Sequence, residues 1–315
     1  MLRLFNKFLR DYNCLILCLL MFIIPSITVP NFFSTLNILN ILVEVSAIGI
    51  MAIGMTFLLL IGLFDMSIGN QVSFVSLVLA STIKFGIIPS IIISLIAGML
   101  IGAINSFITT KLKISAFIVT FAMLGILKGV NLLISEGQSI FIANENFAKI
   151  FNQNLFGVPI VIVVFVVLSI IAELMLRYSK VGFEIYVSGG NIETAKLSGI
   201  NISFITMFCF LMSSLCVAIS SILLTSRVMT ASPILGEKYT LLVIASCVVG
   251  GVRFTGGYGN ILNTFLGVSA MQLVNNIMYM TNTYGYVITL INGMILLVVL
   301  SLDRLISVKK DFLAK

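Results

Sequence analysis

An all-α polytopic membrane protein is the fold class that this sequence predicts, and three observations predict it. Sixty per cent of the 315 residues are hydrophobic and nine per cent are charged. Apolar runs of about 20 residues recur from end to end, the length a helix needs to cross a ~30 Å hydrocarbon core. The few Lys and Arg residues fall between those runs in a one-sided pattern. Lipid cannot hydrogen-bond a backbone, so each run must satisfy its own N–H and C=O groups, which a helix does.

About ten transmembrane helices are expected, at roughly residues 14–30, 38–62, 68–83, 87–109, 114–134, 156–176, 203–225, 239–251, 261–280 and 284–302. The first follows Arg3, Lys7 and Arg10, the basic-then-apolar order of a secretory signal. No small-x-small cleavage site closes it, so it reads as an uncleaved helix. The eighth is short and is either a complete span or a re-entrant one. The longest polar intervals, about 135–155 and 177–202, are too small to bury cores of their own. Residues 1–315 therefore read as one transmembrane domain, with 177–202 as a loop between spans.

Orientation follows from the basic residues. With the N-terminus inside, Arg3, Lys7, Arg10, Lys111, Lys113, Arg177, Lys180, Lys196, Arg253, Arg304, Lys309, Lys310 and Lys315 share the inner side, 13 of 18. Lys84, Lys128, Lys149, Arg227 and Lys238 fall outside or near the outer face. An even span count leaves both termini cytoplasmic. The +7 net charge then reads as topology, and no nucleic-acid partner is implied.

The chain has no histidine, which removes the commonest general base and metal ligand. It has no phosphate loop, no activated Ser or Cys nucleophile and no paired Asp at membrane depth. No catalytic, metal or cofactor site is expected on it. Cys14, Cys18, Cys209, Cys216 and Cys247 lie in apolar spans, where cysteine behaves as a small hydrophobe. The glycines of 250–259 lack a Lys-Ser/Thr ending, and close backbone approach suits them better than phosphate binding.

Polar groups inside apolar spans are costly and so mark candidate sites. Glu44 lies in the second span without a local partner, which leaves two readings, pathway lining and outer interface. Glu173 has Arg177 one turn on, the spacing of an i,i+4 ion pair. Asn105, Gln272, Asn275, Asn276 and Asn292 supply amides, which either join helices or line a polar cavity. The 24 Phe residues suit stacking on a sugar face, although most must face lipid or core.

The middle of the 177–202 loop carries the signals of one short helix. Asn191 can cap its start and Glu193 suits the positive end of its dipole. Gly199 can take the left-handed conformation that ends it, with Ile200 folding back. About seven residues are too few for a stable isolated helix, so packing must hold it. Either it lies at the membrane interface or it docks on a soluble subunit.

Four ordered motifs resemble ABC importer permeases for ribose and related sugars. Gly189, Gly190, Asn191, Glu193, Thr194, Ala195, Leu197, Ser198, Gly199 and Ile200 resemble the family's Gly-Gly-Asn-x-x-Ala-Ala-x-x-Ser-Gly-Ile coupling region. Gly62-Leu-Phe-Asp65-Met-Ser67-Ile-Gly69 resembles its Gly-Gly-Ile-Asp-Leu-Ser-Val-Gly. Ala116-Phe117-Ile118-Val119-Thr120 resembles the opening of its fifth span, and Gly250, Gly251, Gly256, Gly257 and Gly259 resemble its glycine turn after the eighth. Leu63, Ser115, Thr194 and Val252-Arg253-Phe254 depart from the pattern. The first and last motifs also resemble one another, suggesting duplicated helical halves.

The resemblance implies alternating access in a multi-pass protein of the bacterial plasma membrane. Its implied partners are cytosolic ATP-binding subunits docked on 191–201, a second permease subunit, and an extracytoplasmic sugar-binding protein. It also implies a translocation pathway, for which Glu44, Asn105, Phe117, Gln272, Asn275 and Asn276 are the candidates. Nucleoside or branched-chain amino-acid import is the alternative within the superfamily, and an ion-coupled secondary transporter the alternative outside it.

Overall fold

The computed structural model describes residues 22, 23, 25, 26, 29–151, 153–155 and 157–313, with no side chain described beyond residue 301. Most of the expected first span lies outside the described residues. Helix α1 (Thr35–Leu60) begins at Ser34, whose Oγ accepts from Asn37 N at 3.3 Å. From Val45 to Leu60 every residue is buried. A helix apolar on all sides has to be surrounded by others, and α1 is the pillar of the bundle. The helices that follow are α2 (Ile68–Thr82), α3 (Ile87–Lys111), α4 (Ala116–Ser135), α5 (Glu145–Phe151), α6 (Ile160–Tyr178), α7 (Lys180–Gly190), α8 (Ile192–Leu197), α9 (Ile202–Val228), α10 (Tyr239–Val249), α11 (Ile261–Met280) and α12 (Gly285–Leu313), of which α6, α7, α9, α10 and α11 pack directly on α1.

Six of these segments are long and apolar enough to cross a membrane, among the described residues: α1, α2 with its 3-10 extension to Phe85, α3, α4, α6 and α9. Helix α3 turns only a narrow stripe inward, Ser90, Ser94, Gly98, Ile101, Gly102, Asn105 and Ser106. A Cβ on Gly98 would come within 2.8 Å of Ala218 Cβ, so the missing side chain lets α3 lie close on α9. In lipid, where apolar burial drives association weakly, such close packing is what joins helices. Helix α11 is as long as α4 but more polar, because it carries Asn263, Gln272, Asn275 and Asn276.

The short eighth span is α10, 11 residues or about 17 Å at 1.5 Å per residue, little more than half a bilayer core. The chain before it dips between helices instead of running over them. Gly236 N donates to Ser73 Oγ at 2.9 Å and Gly69 N to Thr240 Oγ1 at 2.9 Å, while Thr230 and Ala231 pair with Phe141 and Ile140. A Cβ on Gly236 would overlap the Gly69 carbonyl oxygen, so the two backbones cross in contact.

Two polar intervals hold more structure than expected. Residues 135–155 contain α5, and beside it a two-residue hairpin pairs Asn154–Leu155 with Val158–Pro159. The 177–202 loop, expected to hold one short helix, holds two. Helix α7 starts where Ser179 Oγ accepts from Gly182 N at 3.0 Å, and three glycines among its 11 residues hid it. Glycine costs about 1 kcal/mol in a helix interior, so propensity argues against α7 and tertiary contact holds it.

Candidate functional site

Helix α8 forms as its punctuation predicts. Asn191 Oδ1 accepts from Thr194 N at 3.0 Å. At the other end Gly199 takes φ +77°, its N–H bonds Lys196 O and Ile200 N bonds Ala195 O, each at 3.0 Å. Those two bonds are the paired closure of a Schellman cap. Glu193 and Lys196 make a 3.3 Å ion pair on the outer surface. Ala195 is fully buried beneath the helix, whereas Leu197 is 89% exposed, a large apolar side chain offered outward.

The glycine motifs of the sequence converge just above α8. Gly189 and Gly190 end α7, Gly256 and Gly257 sit in the turn before α11, and Gly62 follows α1. Gly257 N donates to Leu60 O at 2.8 Å. A Cβ on Gly189 would overlap the Leu60 carbonyl oxygen, and one on Gly257 would lie 2.9 Å from Gly190 Cα. One on Gly256 would lie 2.9 Å from Gly62 N. Three strands of backbone thus meet without side chains between them. Gly250 is a second such point, since a Cβ there would overlap Asn263 O. Gly251 belongs to the turn that follows, with φ +91°.

Side chains lock the same junction. Glu173 makes the expected pair with Arg177, Oε1 to Nη2 at 3.7 Å, and its Oε2 also accepts from Ile261 N at 3.0 Å, a bond 88 residues away in sequence. Tyr186 OH donates to Gly259 O at 2.7 Å. Partial burial first, and the negative charge of Glu173 second, raise the Tyr186 phenol against a smaller opposing pull from Arg177, so it keeps its proton. Phe254 packs on Phe64 with centroids 4.7 Å apart, and Phe64 on Phe117 at 5.8 Å.

Asp65, Ser67 and Gly69 build the start of α2. Asp65 Oδ1 accepts from Ser67 N at 2.7 Å and Ser67 Oγ at 2.6 Å, and Asn105 Nδ2 approaches its Oδ2 at 3.4 Å. All three side chains are buried. Asn105 is thus bonded to this buried carboxylate and stands apart from the residues that line the cavity at the other end of the bundle. Phe117, 46% exposed, belongs to the aromatic group beside the glycine junction.

The other four pathway candidates meet at the opposite end of the bundle. A cavity of about 460 Å³ is lined by Asn40, Glu44, Arg227, Gln272, Asn275, Asn276, Asn292 and the rings of Tyr239 and Tyr279. Glu44, read as lacking a local partner, has a distant one: Arg227 Nη1 donates to its Oε1 at 2.9 Å, and Nη2 to Asn40 Oδ1 at 3.3 Å. Asn276 exchanges two hydrogen bonds with Asn37, at 2.9 and 3.2 Å, so it joins α11 to α1 as well as facing the cavity. Asn275 Nδ2 donates to Gln272 Oε1 at 3.0 Å, leaving Asn275 Oδ1 buried without a protein donor. Among the described residues no cluster of three metal-type ligands occurs, and Cys209, Cys216 and Cys247 are buried free thiols.

The family model described as Branched-chain amino acid transport system / permease component matches residues 37–300. The chain is 33% identical over 311 residues to the ribose import permease protein of Haemophilus influenzae, covering 97% of this chain and 96% of that one. It is 32% identical to the L-arabinose transport system permease protein of Escherichia coli, over 95% and 92% of the two chains. Identity to the D-allose transport system permease protein of Escherichia coli is 28%, over 93% and 90%. No solved structure matches. With six membrane-length apolar helices among the described residues and a family match spanning all four motifs, the chain is a multi-pass membrane protein and belongs to this permease family.

Proposed function

We propose that the chain is the transmembrane permease subunit of an ATP-driven, binding-protein-dependent importer of a monosaccharide. The observation that carries this reading is near full-length similarity to permeases named for ribose, L-arabinose and D-allose. The cavity supports it, because its amides, its two tyrosines and the charged Glu44, Arg227, Glu237 and Lys238 supply donors and acceptors for the hydroxyl groups of a sugar. Glu44, Gln272, Asn275 and Asn276 form the pathway lining in this reading.

The chain adopts about ten spans with both termini cytoplasmic, in a bacterial plasma membrane. Support for that orientation comes from Arg177, Lys180, Lys196 and Arg253 gathering around the glycine junction, with Arg227 and Lys238 at the cavity. Helix α8 docks in a cleft of a cytosolic ATP-binding subunit, with Leu197 seated in it and Gly190, Asn191, Glu193, Thr194, Ala195 and Gly199 fixing its shape. ATP hydrolysis belongs to that subunit, so this chain needs no cofactor. A second permease subunit completes the pathway and an extracytoplasmic sugar-binding protein loads it.

One observation favours amino-acid import instead. Glu44 and Arg227 place opposite charges on the cavity wall, which could face an ammonium and a carboxylate. Their mutual bond at 2.9 Å already satisfies both. Uptake by the reconstituted complex decides: ATP-dependent accumulation of a pentose or hexose is expected, and accumulation of leucine or a nucleoside instead would overturn the sugar reading. Co-purification of an ATP-binding subunit, lost on Glu193→Lys or Gly199→Pro, is expected. Proton-driven uptake without any ATPase would replace the whole scheme with a secondary transporter.

A further inference from the structure

We infer that Glu173, at the inner end of α6, and Tyr186, on α7, are positioning residues through which a displaced α8 drives α11, the helix that carries Gln272, Asn275 and Asn276 into the cavity. The inference rests on the reading of α8 as the docking element for an ATPase. Covalent continuity explains only how a displaced α8 moves its sequence neighbours, α6 behind α7 and α9 ahead. It does not reach α11, which begins 64 residues after Leu197 and lines the cavity as α6 does not.

The tethers to α11 fall within six residues, from Gly256 to Ile261. Gly189 and Gly190 lie against Gly256 and Gly257, Tyr186 OH bonds Gly259 O at 2.7 Å, and Glu173 Oε2 accepts from Ile261 N at 3.0 Å. Ile261 is the first residue of α11. Gln272 lies 11 residues further along a stiff helix, about 17 Å at 1.5 Å per residue, so a shift at Ile261 arrives at the cavity wall. Helix α10 moves with it, because a Cβ on Gly267 would overlap Ser246 O.

The two kinds of tether differ in what they transmit. Glycine backbones in van der Waals contact resist being pushed together, but dispersion holds them only weakly when they are pulled apart. A carboxylate accepting a backbone N–H is a charge-assisted bond, and it holds in tension. Transport by alternating access needs a stroke in each direction. The glycine contacts carry the inward push on α11, and Glu173 with Tyr186 carries the return.

The test uses the chain reconstituted with its ATP-binding subunit and its sugar-binding protein. With Glu173→Ala and Tyr186→Phe combined, subunit assembly and ATP hydrolysis stay within about twofold of wild type, while sugar imported per ATP falls about tenfold. Glu173→Gln with Tyr186 intact, which keeps an acceptor oxygen for Ile261 N, restores most of that ratio. An unchanged ratio in the assembled double variant overturns the inference. If the double variant does not assemble, Tyr186→Phe alone, which removes one oxygen and keeps the ring, is measured by the same ratio and judged the same way. A wild-type chain that binds no ATPase would fail the reading of α8 instead, a result read from co-purification before any ratio is taken.

Discussion

At the glycine junction, segments from three parts of the chain touch through main-chain atoms, whereas the cavity at the far end is walled by amides, the charged side chains of Glu44, Arg227, Glu237 and Lys238, and phenol rings. Along α1 the two regions are separated by the 16 residues from Glu44 to Leu60, about 24 Å. Backbone contact leaves no slack, because neither side can rotate away as a side chain can. Amides exchange partners with little loss when a hydroxyl or water replaces a neighbour. The junction is thus suited to carrying displacement, and the cavity to releasing what it holds.

Substitution at adjacent glycines tests that contrast most severely. Gly189→Ala puts a methyl group onto the Leu60 carbonyl oxygen. Overpacking against rigid backbone costs about 1–3 kcal/mol or more, so folded protein in the membrane should fall sharply. Gly190→Ala has open space around its Cβ, and its melting temperature in detergent should stay at the wild-type value. Equal behaviour of the two variants would show that backbone contact does not govern this end.

Two amides separate structure from transport. Asn105→Ala strips a donor from buried Asp65 and Ser67, and it should lower stability by about 1–3 kcal/mol in thermal denaturation. Gln272→Ala should lower stability less than Asn105→Ala, because the cavity lets water take over Asn275 Nδ2, and should raise the KM of uptake about tenfold, the value of one or two lost substrate hydrogen bonds. A destabilised Gln272→Ala with normal KM would move that residue from cavity wall to scaffold.

Smaller effects sharpen the picture. Gly199→Ala forces a Cβ into φ +77°, costing about 1–2 kcal/mol locally, and should weaken co-purification of the ATP-binding subunit while the spans stay folded. Glu44→Gln should change stability least, by under about 1 kcal/mol, because Glu44 and Arg227 are 39% and 35% exposed in their side chains. Exchanging the two charges, Glu44→Arg with Arg227→Glu, should recover uptake if the pair matters only to itself.

Features set by neighbouring residues were legible in the sequence. The Asn191 cap and the Gly199 closure are decided within nine residues, and both form as expected. Six of the expected spans, among the described residues, follow from hydropathy, since lipid enforces helix on any long apolar run. Features set across the fold were not legible. Glu44 finds Arg227 across 183 residues and Glu173 finds Ile261 across 88, and no local pattern announces either. Helix α7 was missed for a related reason. Gly189 is there for contact with Leu60, so the residue that serves the junction disguises the helix that carries it.

Helix α10 has a consequence for how the chain is made. Eleven residues leave about half the hydrocarbon thickness uncovered, so this segment cannot partition into lipid by its own hydropathy. Its entry has to wait until α2 offers Ser73 and the Gly69 amide as a landing place, and until α11 closes behind it. Residue 239 is therefore made before the membrane can accept it, and biogenesis has to shelter this segment until the helix that closes behind it, in the final quarter of the chain, has been made.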